Sequence, residues 1–159
     1  MKDSVSFRRD VMPEDVVRVK HILASSDMFT DAEISIAVEL VLERLLRGVA
    51  CGYHFLFLDI DNIPLGFSCF GPIACTDNAF DLYWIAVRAD HRNKGWGSII
   101  LKKTEDILYS MEARQIYVET SSTPRYAPTQ AFYIRRGYKE AARLDHFYRH
   151  GDDKIVYVK

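Results

Sequence analysis

Phe80 to Met111 reads FDLYWIAVRADHRNKGWGSIILKKTEDILYSM, and the way this stretch divides decides the fold. Phe80 to Val87 is rich in aromatic and β-branched residues, the composition of a buried strand. Ile100, Leu101, Thr104, Ile107, Leu108 and Met111 recur at helical spacing, so the second half predicts an amphipathic helix with one face on a core. Between them, Arg92-Asn93-Lys94-Gly95-Trp96-Gly97-Ser98 leads into the helix N-terminus. Gly95 and Gly97 carry no Cβ and let a ligand approach the backbone. Free NH groups at a helix start, the macrodipole, Arg92 and Lys94 together suit phosphate oxygens, so the loop reads as a pyrophosphate cradle. The same glycines would also serve a plain strand-to-helix turn. The loop lacks the Gly-Lys-Ser/Thr of a P-loop, and Ile100 stands where a dinucleotide fingerprint needs its third glycine.

Working outward, Val5 and Phe7 alternate with polar residues as a first strand. A helix can begin at Pro13, with Val16, Val19, Ile22 and Leu23 as its stripe, and stop near Ser25-Ser26. Thr30-Asp31-Ala32-Glu33 reads as a capping box opening a second helix, whose face continues through Ile34, Val38, Val41, Leu45 and Val49 to an end near Gly48. Tyr53 to Ile60 and Leu65 to Phe70 form a hairpin around Asp61-Asn62, and Gly71-Pro72 is expected to interrupt the second strand. Downstream of the glycine-loop helix, Gln115 to Thr120 is a strand, parallel to the one before the loop because a helix joins them. Pro128 to Arg136 predicts a short helix ended by Gly137. Lys139 to Arg149 and Lys154 to Val158 close the chain as strands. The fold class is therefore α/β (α+β): a mixed, mostly antiparallel sheet with one parallel β-α-β pair and helices on both faces.

The 159 residues suit a single domain, 1–159, and 48% hydrophobic with 27% charged residues is a globular balance. A net charge of -1 without a basic run gives no footprint for nucleic acid. MKDSVSFRRD holds no apolar signal segment and no run is long enough to span a bilayer, so no membrane partner and a cytoplasmic location are expected. Cys51, Cys69 and Cys75 form no C-x-x-C pair, which suggests neither a disulfide framework nor a zinc site.

The Arg-x-x-Gly-x-Gly loop after Ile85-Ala86-Val87, together with this order of elements across essentially the whole chain, resembles the GNAT superfamily of acyl-CoA-dependent N-acetyltransferases. The resemblance implies an N-acetyltransferase that moves an acetyl group from acetyl-CoA to the primary amine of a small molecule or protein. Attack would be direct, in a ternary complex, without a metal. It implies that Arg92, Asn93, Lys94, Gly95, Trp96, Gly97 and Ser98 hold the cofactor pyrophosphate. In that family two central parallel strands splay apart around the pantetheine arm, which would lie on the backbone of Ile85, Ala86 and Val87, with the Val87 NH as oxyanion donor. A homodimer is left open. So are a non-catalytic acyl-CoA sensor, another acyl donor and an acceptor other than nitrogen.

Phe132-Tyr133-Ile134-Arg135-Arg136-Gly137-Tyr138 is similar to the family's aromatic-Tyr-x-x-x-Gly-aromatic helix end. It makes Tyr133 the candidate acid toward the leaving sulfur, a role that suits a phenol near pKa 10 beside a thiol near 8.5. A core tyrosine is the plain alternative. Tyr126 stands where the family often has a cofactor-contacting asparagine, and would take that contact or line the cleft. Asp81 matches the position of an acidic base in histone-type members, against a solvated turn aspartate, with Glu119 competing. Regular alternation places Asp81, Tyr83, Ile85 and Val87 on one face. The loop from Asp27 to Asp31 is where the family places acceptor contacts. His146 and His150, read as strand and turn, would stand roughly 13 Å apart and hold no metal.

Overall fold

A computed structural model describes residues 4–159. A sheet in the order β1-β2-β3-β4-β5-β7-β6 runs through it. Its strands are β1 (Val5–Arg8), β2 (His54–Ile60), β3 (Ile63–Pro72), β4 (Ala79–Val87), β5 (Gln115–Ser121), β6 (Lys139–Arg149) and β7 (Asp152–Val158). Helices α1 (Asp15–Ala24) and α2 (Asp31–Arg47) cover one face, packing on Phe55, Phe57, Phe67 and Cys69. On the other face, α3 (Trp96–Ser110) and α4 (Ala127–Arg135) pack through Leu101, Leu108 and Tyr133 on Phe80, Leu82, Ile116, Val118 and Ile155. All pairings are antiparallel except β4 with β5, as the connecting helix requires. No helix among the described residues is long and apolar enough to cross a membrane.

Local signals explain several boundaries. Thr30 and Glu33 form both halves of the capping box at α2, the Thr30 Oγ1 accepting from the Glu33 NH at 3.2 Å and Glu33 accepting from the Thr30 NH at 2.7 Å. At Gly48 the chain leaves α2 and makes a 3₁₀ turn through Cys51, so Val49 is 65% exposed and falls outside the buried face expected for it. Gly71 and Pro72 likewise do not interrupt β3, which runs through both. Pro72 stands at the strand end, and Gly71 lies so close to Gly52 that an added Cβ would sit 2.3 Å from the Gly52 carbonyl oxygen.

The even alternation expected along β4 is broken. Cys69 pairs with Trp84 but Phe70 pairs with Leu82, which leaves Tyr83 as an extra residue in a β-bulge. Before the bulge Phe80 and Leu82 face α3, and after it Ile85 and Val87 do. Trp84 and Ala86 turn to the helix pair on the opposite face. Asp81 is therefore on the face opposite Ile85 and Val87, not beside them.

Arg8, which the alternation of β1 marks only as polar, clasps three elements. Its guanidinium donates to buried Asp59 on β2 at 2.9 Å and to fully buried Asp15 on α1 at 2.7 Å, and lies 4.3 Å above the Phe57 ring. Without it Asp59 would lose its ion pair, and Asp15 would keep only Arg18, at 3.6 Å, and the Met12 NH. Arg8→Ala should lower unfolding stability in urea by about 3 kcal/mol, since removing one partner leaves buried charge uncompensated. Arg8→Lys, which cannot reach both carboxylates as a fork, should lose part of that.

Candidate active site

The parallel pairing of β4 with β5 lasts three residues, Ala79 to Asp81 against Gln115 to Tyr117. Beyond it, β4 stays on β3 and β5 stays on β7, and a gap opens between them. The Arg88 NH donates to the Leu65 carbonyl at 2.9 Å, so Gly66 and Val87 form a non-hydrogen-bonded pair. Alternation then commits the Ala86 amide to Phe67 and turns the Val87 and Ile85 amides toward the gap, roughly 7 Å apart along the strand. Of the three residues expected to hold a pantetheine arm, two thus present free backbone. Thr120 Oγ1, on the separated part of β5, is sealed and has no partner among the described residues.

The glycine loop closes one end of this gap. Asn93 and Gly95 are left-handed, with φ 58° and 85°, and Gly95 caps α3 without any side-chain hydrogen bond. The first bond of the helix is from Ile99 to Gly95, and among the described residues no protein acceptor reaches the NH groups of Asn93 through Ser98. Arg88 and His91 share Asp90 as a partner, while Lys94 reaches only the Asp90 carbonyl and Arg92 makes no ion pair among the described residues. Arg136, at the end of α4, bonds the Ser98 hydroxyl and the Phe132 carbonyl and lies 3.7 Å above the Phe132 ring. Sequence reading quoted Arg136 within the Tyr-x-x-x-Gly stretch but gave it no part. The Trp96 side chain packs with Leu58, Leu65, Val87 and Ile100, so only its amide is offered to a ligand. Six amides without a protein acceptor at a helix start, with Arg92, Lys94 and Arg136 making no ion pair among the described residues, suit a pyrophosphate.

Tyr133 lies in the core under this gap, 5% exposed, edge-on to Phe132 and Tyr138. Burial pushes its phenol well up from 10. Its hydroxyl makes no hydrogen bond among the described residues, and burial is the sole cause of the shift.

On the opposite face, Asp81 and Glu119 meet at the border of two clefts. One, of about 430 Å³, runs between β4, β5 and α2, and the other, of about 510 Å³, lies over the paired ends of β4 and β5. Burial and then the neighbouring Glu119 charge raise the Asp81 pKa, against the opposing pull of Lys154. Asp81 is thus half-buried rather than a solvated turn residue. Tyr83 is pushed up to about 12 by burial and by Asp81. Lys154 on β7, which sequence reading did not single out, holds Glu119 at 2.8 Å. Phe29, from the loop expected to touch the acceptor, lies edge-on to Trp84 behind the cleft. Tyr126 stands at the N-terminus of α4; burial raises its hydroxyl pKa, with Glu33 of α2 next in effect.

His146 and His150 are not 13 Å apart. Residues 145–148 bulge out of β6 between Leu144 and Arg149, His146 takes φ 52°, and the two rings stack at 4.6 Å. His146 Nδ1 accepts from the Gly151 NH, and no group of three metal-ligating side chains occurs among the described residues.

The profile of the GNAT acetyltransferase domain matches residues 51–140. A crystal structure of a Desulfovibrio desulfuricans protein assigned to the GNAT acetyltransferases is 42% identical, covers 98% of each chain and superposes with a TM-score of 0.96. Two more distant structures share the fold. The PaiA N-acetyltransferase of Thermoplasma acidophilum, in complex with coenzyme A, is 17% identical over 98% of each chain with a TM-score of 0.75. YncA of Salmonella typhimurium, with acetyl-CoA, is 15% identical over 98% of this chain and 93% of its own with a TM-score of 0.73. No curated protein matches in sequence.

A Cβ at Gly97 would meet the Phe132 ring at 3.5 Å, an ordinary contact, whereas the branches of a valine would press on that ring and on Arg136 above it. Gly97→Ala should therefore bind coenzyme A nearly as wild type does. Gly97→Val should weaken binding by more than about tenfold, or 1.4 kcal/mol, in calorimetry. Equal affinity in all three proteins would remove this face of the cradle.

Proposed function

Because the chain belongs to the GNAT acetyltransferase family, we propose that it transfers an acetyl group from acetyl-CoA to a primary amine, by direct attack in a ternary complex, with residues 1–159 acting as one domain. The observation that carries the reading is the gap between β4 and β5, with free amides at its loop end and two carboxylates across the sheet. When bound, acetyl-CoA supplies a thioester whose carbonyl carbon accepts the nitrogen lone pair, the C–N bond forming as the C–S bond breaks.

The chain's part is orientation and charge. The loop amides from Asn93 to Ser98, with Arg92, Lys94 and Arg136, hold the pyrophosphate. The Val87 amide, the donor expected for the oxyanion, stands at the loop end of the gap. Its hydrogen bond takes the charge growing on the carbonyl oxygen, while the Ile85 backbone steadies the arm. Asp81 accepts, directly or through water, the proton that the ammonium must lose before it can attack. Desolvation that raises its pKa makes it a stronger base than an ordinary aspartate. The Tyr133 phenol, kept protonated by burial, donates a hydrogen bond to the departing sulfur. A thiol near 8.5 is the stronger acid of the two, so the phenol steadies the thiolate without giving up its proton, and the proton that nitrogen sheds as the amide forms passes through water to the thiolate. Tyr126 takes the cofactor contact of the family's asparagine or lines the cleft. We place the protein in the cytoplasm, a setting that suits the free thiols of Cys51, Cys69 and Cys75.

Release of free thiol from acetyl-CoA on addition of amines tests the reaction; binding without release would mark a sensor. Tyr133→Phe should lower kcat and kcat/KM together by roughly 10²- to 10⁴-fold, with acetyl-CoA affinity nearly unchanged. A loss under twofold with chemistry rate-limiting would make Tyr133 a packing residue. For Asp81, raised above its usual range, the base form appears as pH rises through the shifted pKa. The acid limb of kcat/KM should thus have its midpoint above the ordinary aspartate value of about 3.9. Asp81→Asn should remove that limb, with the greatest loss near neutral pH and a smaller one where the amine arrives already neutral.

A further inference from the structure

Resting on the transferase reading, the acceptor cleft carries more than a base. It borders the gap where β4 has just left β5, so an amine seated there faces the thioester position. Its walls are Ile36 and Leu40 of α2 with Tyr53, Tyr83, Trp84 and Tyr117. Ile36 is 53% and Tyr83 38% exposed, and Tyr53 meets Tyr83 edge-on at 5.6 Å, so these apolar surfaces stand open rather than filled by one another.

The charges are few and already partly spoken for. Among the described residues, Asp81 and Glu119 are the carboxylates that line this cleft. Glu119 is held by Lys154 at 2.8 Å. Lys154 is itself fixed: its ammonium lies 3.9 Å from the Phe147 ring centre and 5.8 Å from that of Tyr148, both presented by the bulge in β6. That bulge is pinned by the His146 NH to Asp153 and by the Gly151 NH to His146. The cation of the nearby pair Arg114 and Asp77 is satisfied within the second cleft. Two carboxylates and one lysine leave a single net negative charge, at Asp81, beside aromatic faces that attract a cation and bury an apolar body.

We propose that the acceptor is a monocationic primary amine carried on an apolar, ring-sized body, and that Lys154 sets this choice by withholding Glu119 from a second ammonium. A diamine or polyamine would bring a second charge that finds only a neutralised carboxylate and apolar walls, and desolvating it there is unfavourable.

The test uses phenethylamine and 1,5-diaminopentane as probes on the full chain with coenzyme A present. Binding is read from Trp84 fluorescence, with Trp84→Phe as the signal control, and by calorimetry. Wild type should bind phenethylamine at least about tenfold more tightly than the diamine, and kcat/KM should follow the same order. Lys154→Met keeps an apolar chain under Phe147 but frees Glu119, so it should improve diamine binding and narrow that ratio. A general loss of structure would depress both probes alike instead. Equal or tighter binding of the diamine by wild type, or no binding of phenethylamine up to roughly 10 mM, above the usual KM range, would overturn the acceptor class. An unchanged ratio in folded Lys154→Met would overturn the role of Lys154. Should that variant not fold, Lys154→Gln, which also removes the cation from Glu119, should narrow the ratio in the same direction, and an unchanged ratio there would overturn the role of Lys154. Phenethylamine binding without thiol release would sink the transferase reading and leave the acceptor site standing; release with polyamines alone would do the reverse.

Discussion

The ladder between β4 and β5 ends at Asp81 and Tyr117, and both halves of the site depend on that early end. A parallel strand pair that stayed together would bury the amides of Ile85 and Val87 in hydrogen bonds to β5. Because β5 leaves to follow β7, those groups stay unspent in the middle of the sheet. The bulge at Tyr83 belongs to the same event. It adds a residue to β4, bends it, and exchanges which side chains face α3, so that Asp81 stays across the sheet from the side chains of Ile85 and Val87.

Charge is sorted by the same geometry. At the loop end, cations stand without carboxylates: Arg92, Lys94 and Arg136 gather where α3 exposes its first amides and α4 reaches Ser98. At the cleft between β4, β5 and α2, Asp81 and Glu119 stand together and Lys154 pairs with Glu119. An anionic ligand and a cationic one are each attracted to their own side of the sheet, and they would meet at the gap. The formal net charge of -1 conceals this sorting, since it sums over both sides.

The elements were legible in the sequence because their signals are local. Thr30 and Glu33 spell the start of α2, helical spacing from Ile100 to Met111 spells α3, and Arg92 to Gly97 spells the loop that precedes it. Tyr133 and Gly137 share one short motif, and Asp81 sits at a readable distance from the loop. Gly71 and Pro72 misled for the opposite reason. Their local meaning is a break, yet β3 runs through them because Gly52, nineteen positions away in sequence, needs the space a side chain would take. The stacking of His146 on His150 was equally out of reach, because regular strand spacing does not anticipate a bulge.

The sequence by itself determined the order and type of the main strands and helices and the parallel pair, since each follows from periodicity, capping or connection within a short window, and it carried the family as a resemblance of the glycine loop and of that order. Only the tertiary structure decided where β4 parts from β5, which amides are left free, which face Asp81 occupies, and that Lys154, Arg8 and Arg136 have work at all. Those outcomes depend on competition among distant partners. Leu65 orients the end of β4 through Arg88, β7 draws β5 aside, and Asp15 and Asp59 claim one arginine from separate elements. No window of sequence contains both sides of such a competition.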